Sequence, residues 1–366
     1  MADVSIKTNL MGIVMDNPMM PGSGPLSGDD ERLKELADLG IGGLVTKTIA
    51  PAAAKVARPC IVKKDNIIMN CEGWSEHAGE KWTEEFIPNT YGKVSQPIIA
   101  SVGYSPEEYA EIIPKIDKYV KGYECVARFH NNSGDYTEVG ECVKAFRSLT
   151  DKPFWVKMSG NKPDPVAFSR TCLENGASGV VAITSLGPCL AVDIRNRRPL
   201  IGLGSGFSWA SGPAIKPLAL STVFTLKQAL PEISIIGSGG IATAEDVIEF
   251  LLAGADAVEM LSTAMMRGKS AYSKIIADLP AKLAEYGFKD IEDVKKKRIS
   301  ALEPRFTPEY PVISAACTGC GLCSRNCPYS AMFMENGKAK VDVSKCFGCG
   351  LCQSACPAKA ISGVLK

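Results

Sequence analysis

The chain has 366 residues, 46% hydrophobic and 22% charged, with a formal net charge of +1. That length suits one large domain and a small one, and the even charge balance gives no electrostatic case for nucleic acid or an anionic membrane. No run of about 18 apolar residues is present to span a bilayer, and Met1-Ala2-Asp3-Val4-Ser5 lacks the layout of a signal peptide, so a cytoplasmic setting is expected.

Along the chain one theme recurs. Leu39-Gly40-Ile41-Gly42-Gly43-Leu44-Val45, Asn175-Gly176-Ala177-Ser178-Gly179-Val180-Val181 and Ala253-Gly254-Ala255-Asp256-Ala257-Val258 each read as a helix ending at Gly with a strand starting at once. Gly adopts the left-handed closing position cheaply. Helix starts agree: Ser105-Pro106-Glu107-Glu108 offers a cap, a Pro and a reciprocal Glu, Thr243 with Asp246 does similar work, and Asp164-Pro165 opens another helix. Strands are expected at 19–22, 43–47, 98–102, 124–130, 154–158, 179–184, 233–237 and 257–261. Eight strands alternating with helices predict an α/β fold, a (β/α)8 TIM barrel over 1–305. A doubly wound sheet is the alternative, but no G-x-G-x-x-G follows the first strand.

Active sites of such barrels lie at the C-terminal strand ends. Lys47 and Lys157 end strands two and five there and call for an anionic or electron-rich ligand. Gly239-Gly240 after strand seven and Ser262-Thr263 after strand eight are the loops that commonly build a phosphate site. His130 ends strand four in a polar loop and is a candidate for functional contact; His77, in the loop before strand three, is a weaker one. The run Lys295-Lys296-Lys297-Arg298 reads as a solvated helix face, with docking of an acidic electron-transfer partner as the sharper option.

Beyond Pro304, Pro308 and Pro311 the character changes. Cys317, Cys320, Cys323 and Cys327 precede Pro328, and Cys346, Cys349, Cys352 and Cys356 precede Pro357. Both runs read C-x2-C-x2-C-x3-C-P, the spacing that wraps thiolates around cubane iron–sulfur clusters, with the fourth Cys of each run serving the other cluster. One [4Fe–4S] centre is therefore expected on Cys317, Cys320, Cys323 and Cys356, and a second on Cys346, Cys349, Cys352 and Cys327. A structural zinc site or disulfides are the bland alternatives, but zinc needs no third Cys in the rhythm. Residues 306–366 are thus expected to form a small α+β ferredoxin domain of the bacterial two-cluster type. The other six cysteines show no metal spacing and read as small buried hydrophobes. Clusters carry single electrons and most organic redox steps need two. A phosphate-bearing cofactor that does both is a flavin, so FMN is inferred.

Asn17-Pro18, Gly22-Ser23-Gly24-Pro25-Leu26, Val45-Thr46-Lys47-Thr48, Ser211-Gly212-Pro213-Ala214-Ile215-Lys216-Pro217 and Gly239-Gly240-Ile241 together resemble dihydroorotate dehydrogenase and the related flavin half of dihydropyrimidine dehydrogenase. The resemblance runs over most of 6–268, in the family's order, and the second of these enzymes also places two cubane clusters beside such a barrel. It implies FMN across the barrel mouth, touched by Gly22, Ser23, Lys47 and Thr48, with Lys157 at the N1/O2 edge. It implies a phosphate held by Ser211, Gly212, Gly239, Gly240, Ser262 and Thr263, and substrate contacts from Asn70, Gly73, Trp74, Thr184 and Ser185.

Departures from the family matter as much. Its loop after strand four reads Asn-x-Ser-Cys-Pro, with Cys or Ser as the acid/base. Without gaps His130 falls on that Asn and Ser133 on the Cys; a shift of two positions puts Asn131 there instead. Ser133, assisted by His130, is the expected acid/base, because a hydroxyl has precedent in the role. Asn70 remains of the family's pyrimidine-binding asparagines, while His130, Asp135 and Thr184 replace others. Unpaired polar groups cost about 1–3 kcal/mol each, which disfavours orotate and uracil.

The resulting expectation is an oxidoreductase acting on an activated C=C or C–C bond by hydride transfer at flavin N5, with electrons relayed singly through the clusters. The alternatives are a dihydropyrimidine or dihydroorotate dehydrogenase proper, or a non-catalytic electron-transfer subunit. No nicotinamide site is visible, so the electron partner is expected to be a ferredoxin or a separate NAD(P)H-handling flavoprotein subunit. A homo-oligomer is expected as well.

Overall fold

Short apolar runs, most of them following a helix that closes at a glycine, pair in parallel into one eight-stranded sheet. In the computed structural model these strands are β1 (Met19–Pro21), β2 (Leu44–Val45), β3 (Ile98–Tyr104), β4 (Gly122–Ala127), β5 (Phe154–Met158), β6 (Gly179–Ala182), β7 (Ser234–Ser238) and β8 (Ala257–Met260). Neighbours follow chain order from β2 to β8, and β8 pairs with β1. The Gly42 N–H donates to the Met19 carbonyl at 2.8 Å between β1 and β2, so the sheet nearly closes. This is the expected barrel. The structure describes residues 4–127, 134–202 and 204–365, in two compact units, Met1–Ile299 and Ser300–Lys366. Strand four was expected at 124–130; it starts at Gly122, and residues 128–130 lie outside the described ones.

The helix signals act as anticipated. Ser105 with Glu108 and Thr243 with Asp246 form reciprocal caps on Pro106–Ile116 and Ala244–Ala253, and Asp164 caps Pro165–Glu174. Gly40, Gly176 and Gly254 take φ of +78°, +101° and +131°, where a Cβ would be strained.

Period-two alternation divides the barrel into two environments. Residues facing the helices, such as Ile98, Tyr123, Phe154, Val180, Ile235 and Val258, join one large outer core. Residues facing inward make a separate apolar layer of Met20, Val45, Ile99, Trp155, Val181, Ile236 and Ala257. β4 contributes Gly122, where a Cβ would come within 3.3 Å of the Trp155 ring. The hairpin of Thr8–Leu10 and Ile13–Met15 adds Leu10, Ile13 and Met15 to this layer. Each such buried side chain contributes about 1.5–3 kcal/mol.

Two residues further along each strand the layer turns polar: Gly22, Lys47, Ser101, Glu124, Lys157, Ile183, Ser238 and Glu259. This second layer is the floor of the site. Over it lies a four-stranded antiparallel sheet of Ile61–Lys64, Ile67–Asn70, Ser208–Ser211 and Leu186–Cys189, drawn from the connections after β2 and β6. These extra strands were read in the sequence only as loop.

In the second unit, Val312–Ile313 pairs with Ile361–Ser362, and Met332–Glu335 with Lys338–Val341. The short helices Leu322–Arg325 and Leu351–Ser354 each start after a left-handed glycine. That is the α+β arrangement anticipated. No helix among the described residues is long and apolar enough to cross a membrane.

Candidate active site

A cleft of about 300 Å³ opens at the C-terminal ends of the barrel strands, a size suited to a cofactor. Its lining includes Gly22, Ser23, Lys47, Thr48, Asn70, Gly73, Lys157, Thr184, Ser185, Ser211, Gly239, Gly240, Ser262 and Thr263, all anticipated from the sequence.

Its floor is built around Lys157. The ammonium bonds Glu124 at 2.7 Å and Glu259 at 2.5 Å, and both carboxylates are buried. Burial opposes charge on Lys157, but the Glu124 carboxylate and then Glu259 hold its pKa above the usual lysine value. Burial pushes the Glu259 carboxyl up to about 8, against the pull of Lys157 and with added repulsion from Glu124. Glu259 Oε1 has no hydrogen-bond partner among the described residues. Two carboxyls thus share one cation, which favours retention of a proton on Glu259 to higher pH than on an ordinary carboxyl.

Glu124 begins a relay of hydroxyls. Ser101 donates to Glu124 at 2.8 Å; Thr48 and Ser101 are 3.0 Å apart, and Ser23 and Thr48 3.1 Å. A hydroxyl has one hydrogen. Since Ser101 spends its hydrogen on Glu124, Thr48 donates to Ser101 and Ser23 to Thr48. Ser23 is left presenting lone pairs to the cleft.

Lys47 stands at the other wall. Its buried ammonium bonds Glu72 at 3.2 Å and Glu76 at 2.9 Å, both from the connection after β2. Burial opposes ionisation of Glu76, but the Lys47 hydrogen bond holds it below the usual range.

The third wall suits an anion. Gly239 and Gly240 line it at φ of +119° and +88°; Gly212, at φ +108°, was expected there too but is not among the lining residues. A Cβ at Gly240 would meet Lys216 Cβ and the Lys216 backbone nitrogen at 2.8 Å, so only glycine fits. Ser211 and Ser262 hydroxyls lie 2.6 Å apart, one donating to the other. The Thr263 hydroxyl donates to the Ile241 carbonyl at 2.5 Å, which leaves its backbone N–H as its offering to a ligand. Lys216 points instead to Asp246 and Glu249. Glycine conformation, hydroxyls and free amides together make a cradle that fits a phosphate.

In the second unit two small cavities each collect four cysteines. One is lined by Cys317, Cys320, Cys323 and Cys356, the other by Cys327, Cys346, Cys349 and Cys352. This is the crossed partition expected from the spacing. The Ala331 N–H donates to Cys327 Sγ and the Ala360 N–H to Cys356 Sγ, both at 3.3 Å. Amides of Ala339 and Gly319 hold the Cys317 thiol below its usual pKa; burial raises Cys323 and Cys352. Four soft donors with supporting amides fit an iron–sulfur cluster in each cavity.

Other expectations need adjustment. Trp74 does not line the cleft: its indole N–H donates to the Ala52 carbonyl at 2.7 Å and its ring packs edge-on against Tyr104. Tyr104 lines the cleft in its place. His77 packs against Phe86, away from the lining. Ser133 and His130 lie outside the described residues. The basic run is tied down by ion pairs from Lys295 to Glu292, Lys297 to Asp293 and Arg298 to Asp256, as a solvated helix end would be. Of the six other cysteines, Cys71, Cys125 and Cys172 are buried as expected, whereas Cys60, Cys142 and Cys189 are only half-buried. Glu124, Glu259 and Glu76 were not anticipated. For the first two a signal existed: a charged residue inside an otherwise apolar strand, on the alternate positions that also hold Lys157.

The family comparison bears on this arrangement. The family model described as dihydroorotate dehydrogenase matches residues 5–283. The chain belongs to the dihydroorotate dehydrogenase family. A second model, the 4Fe-4S dicluster domain, matches 316–360. The catalytic subunit of dihydroorotate dehydrogenase B (NAD(+)) from Pyrococcus furiosus is 33% identical over 300 residues, covering 80% of this chain and 98% of that protein. Dihydroorotate dehydrogenase A (fumarate) from Lactobacillus helveticus is 32% identical over 305 residues, 80% of this chain and 97% of its own length. The catalytic subunit of the B (NAD(+)) enzyme from Methanothermobacter thermautotrophicus is 30% identical over 299 residues, 79% and 97%. Family membership makes this chain an oxidoreductase acting on CH–CH groups, and it implies FMN. About a fifth of the chain has no counterpart in the Pyrococcus furiosus protein.

Proposed function

We propose that the cleft above β1–β8 binds FMN and exchanges hydride with an activated C=C bond or its saturated form, while two [4Fe–4S] clusters in the tail connect it to a redox partner. The observation that carries this reading is the presence, in one chain, of a glycine-lined anion cradle beside a fixed buried cation and of two four-cysteine cavities. FMN supplies two-electron hydride chemistry together with one-electron exchange, which iron–sulfur clusters conduct.

The chain's own residues do the rest. Amides of Gly239, Gly240 and Thr263, with the Ser211 and Ser262 hydroxyls, would hold the phosphate. Gly22, Ser23, Lys47 and Thr48 would contact the ring or its chain. Lys157, fixed by Glu124 and Glu259, would supply a positive charge to the electron-rich part of the ring, and a buried charge acts strongly. Asn70, Gly73, Thr184 and Ser185 would face the substrate, with Trp74 bracing Tyr104. Ser133, helped by His130, would carry the proton exchanged at the adjacent substrate carbon. A serine is a poor base alone and needs such a neighbour. The electron partner would be a ferredoxin or an NAD(P)H-handling subunit.

The test is to reduce the anaerobic holoprotein with light and mix it with conjugated acids, thioesters, cyclic enones and pyrimidines while following the flavin band. Reoxidation by at least one class is expected; none by any class would remove the catalytic reading. Ser133→Ala should slow reoxidation about 10²–10⁴-fold with FMN retained. An unchanged rate would take Ser133 out of proton transfer.

A further inference from the structure

The cleft's two lysines are the cations that line it among the described residues, and both are paired. Lys157 is committed to Glu124 and Glu259 on the floor. Lys47 is therefore the described cation at the mouth that could receive an anionic group. Its ammonium has three N–H donors. One goes to Glu72 Oε1 and one to Glu76 Oε1. The Lys47 side chain is 3% exposed and that of Glu72 14%, so this pair meets in a poorly solvated corner, while Glu76, 40% exposed, reaches Lys47 from the solvent side. One ammonium against two carboxylates leaves the corner net negative.

Glu72 also lines the cleft, next to Asn70 and Gly73. An arriving carboxylate would have to displace a carboxylate already bonded to Lys47, or sit beside it with the charge uncompensated. Both routes are unfavourable at short range in a low-dielectric pocket. A neutral carbonyl, amide or enone meets no such obstacle.

We propose that Glu72 and Glu76 serve as built-in counter-anions of Lys47, selecting substrates that enter the cleft without a carboxylate. The substrate class is then an uncharged conjugated carbonyl compound or its dihydro form. This rests on the cleft being the CH–CH oxidoreductase site argued above.

Uracil and orotate make a matched pair of probes, one ring without and with a carboxylate. Their dissociation constants are measured calorimetrically on the oxidised holoprotein, wild type and Glu72→Gln/Glu76→Gln, at constant ionic strength. The double variant should bind orotate at least about tenfold more tightly than wild type does, with uracil changed by less than about threefold. The two single variants give the same readout should the double one fold poorly. Wild-type protein that binds orotate more tightly than uracil overturns the proposal, as does a variant that gains nothing for orotate. Either result leaves the CH–CH reading intact. That reading fails separately, if photoreduced holoprotein is reoxidised by no candidate, charged or neutral.

Discussion

Glu259 is buried, shares the Lys157 ammonium with Glu124, and keeps one oxygen without a partner. A carboxyl held up to about 8 when folded, against 4.5 ordinarily, binds more protons in the folded than in the unfolded chain between those values. Folding stability then falls as pH rises through that window, and flattens above it. Tyr272, whose pKa burial raises and Glu259 raises further, stays neutral throughout and adds no titration there. Glu259→Gln removes the titrating group while retaining its shape. Urea unfolding from pH 5 to 8 should show a shallower decline in the variant than in wild type; parallel curves would mean that Glu259 is already ionised in the folded barrel. Lys157 could be read from the sequence because it ends a strand at the catalytic face. Glu124 could not be read by strand ends alone, because it sits well inside its strand, and Glu259, one residue short of the end of β8 as Lys157 is of β5, was passed over. What assigns them is the inward phase of the alternation, fixed here by the apolar layer two residues below.

The elements themselves were legible where local signals are strong. Caps at Ser105, Asp164 and Thr243 and closing glycines at 40, 176 and 254 fixed the βα rhythm. The four-stranded sheet over the cleft was not: the pairing of Ile67–Asn70 with Ser208–Ser211 joins segments far apart in the chain, and the Ile61–Lys64/Ile67–Asn70 hairpin, although local, was read only as loop. That sheet brings Asn70 and Ser211 to one cleft. The glycine cradle opposite tests how an element carries function. Gly240→Ala forces a Cβ onto Lys216 at φ +88°, while Gly268→Ala imposes a similar φ, +92°, with open space around it. Left-handed backbone costs an alanine about 1–2 kcal/mol. Gly268→Ala should therefore lose about that much stability in apoprotein melts, and Gly240→Ala more, because its Cβ also meets Lys216. Added FMN should raise the melting temperature of Gly268→Ala as it does wild type, and fail to do so for Gly240→Ala. Equal rescue of both would mean the cradle does not hold the phosphate.

Across the whole molecule, redox capacity depends on residues far apart in sequence meeting in pairs of cavities. Cys356 belongs to the second cysteine run yet lines the cavity of Cys317, Cys320 and Cys323, and Cys327 lines the other. Helix starts at Gly321 and Gly350, at φ +73° and +84°, repeat the same turn in each run, so the runs are structurally equivalent and each places its last cysteine in the other's cavity. Spacing alone made this arrangement legible, since three closely spaced thiolates cannot close a cube and the fourth must arrive from elsewhere. A crossed partition has a consequence that a run-by-run partition lacks. With two cubane clusters the anaerobic protein should hold about eight iron atoms, and Cys356→Ser about four. Cys317→Ser should also leave about four. If Cys317 and Cys356 serve one cluster, the double variant loses nothing more and keeps about four. If each run held its own cluster, the double variant would lose both and approach zero. Iron counted against protein in the four samples separates the two outcomes. The flavin band, which should persist in every one of them, shows that the barrel remains folded while the tail is altered.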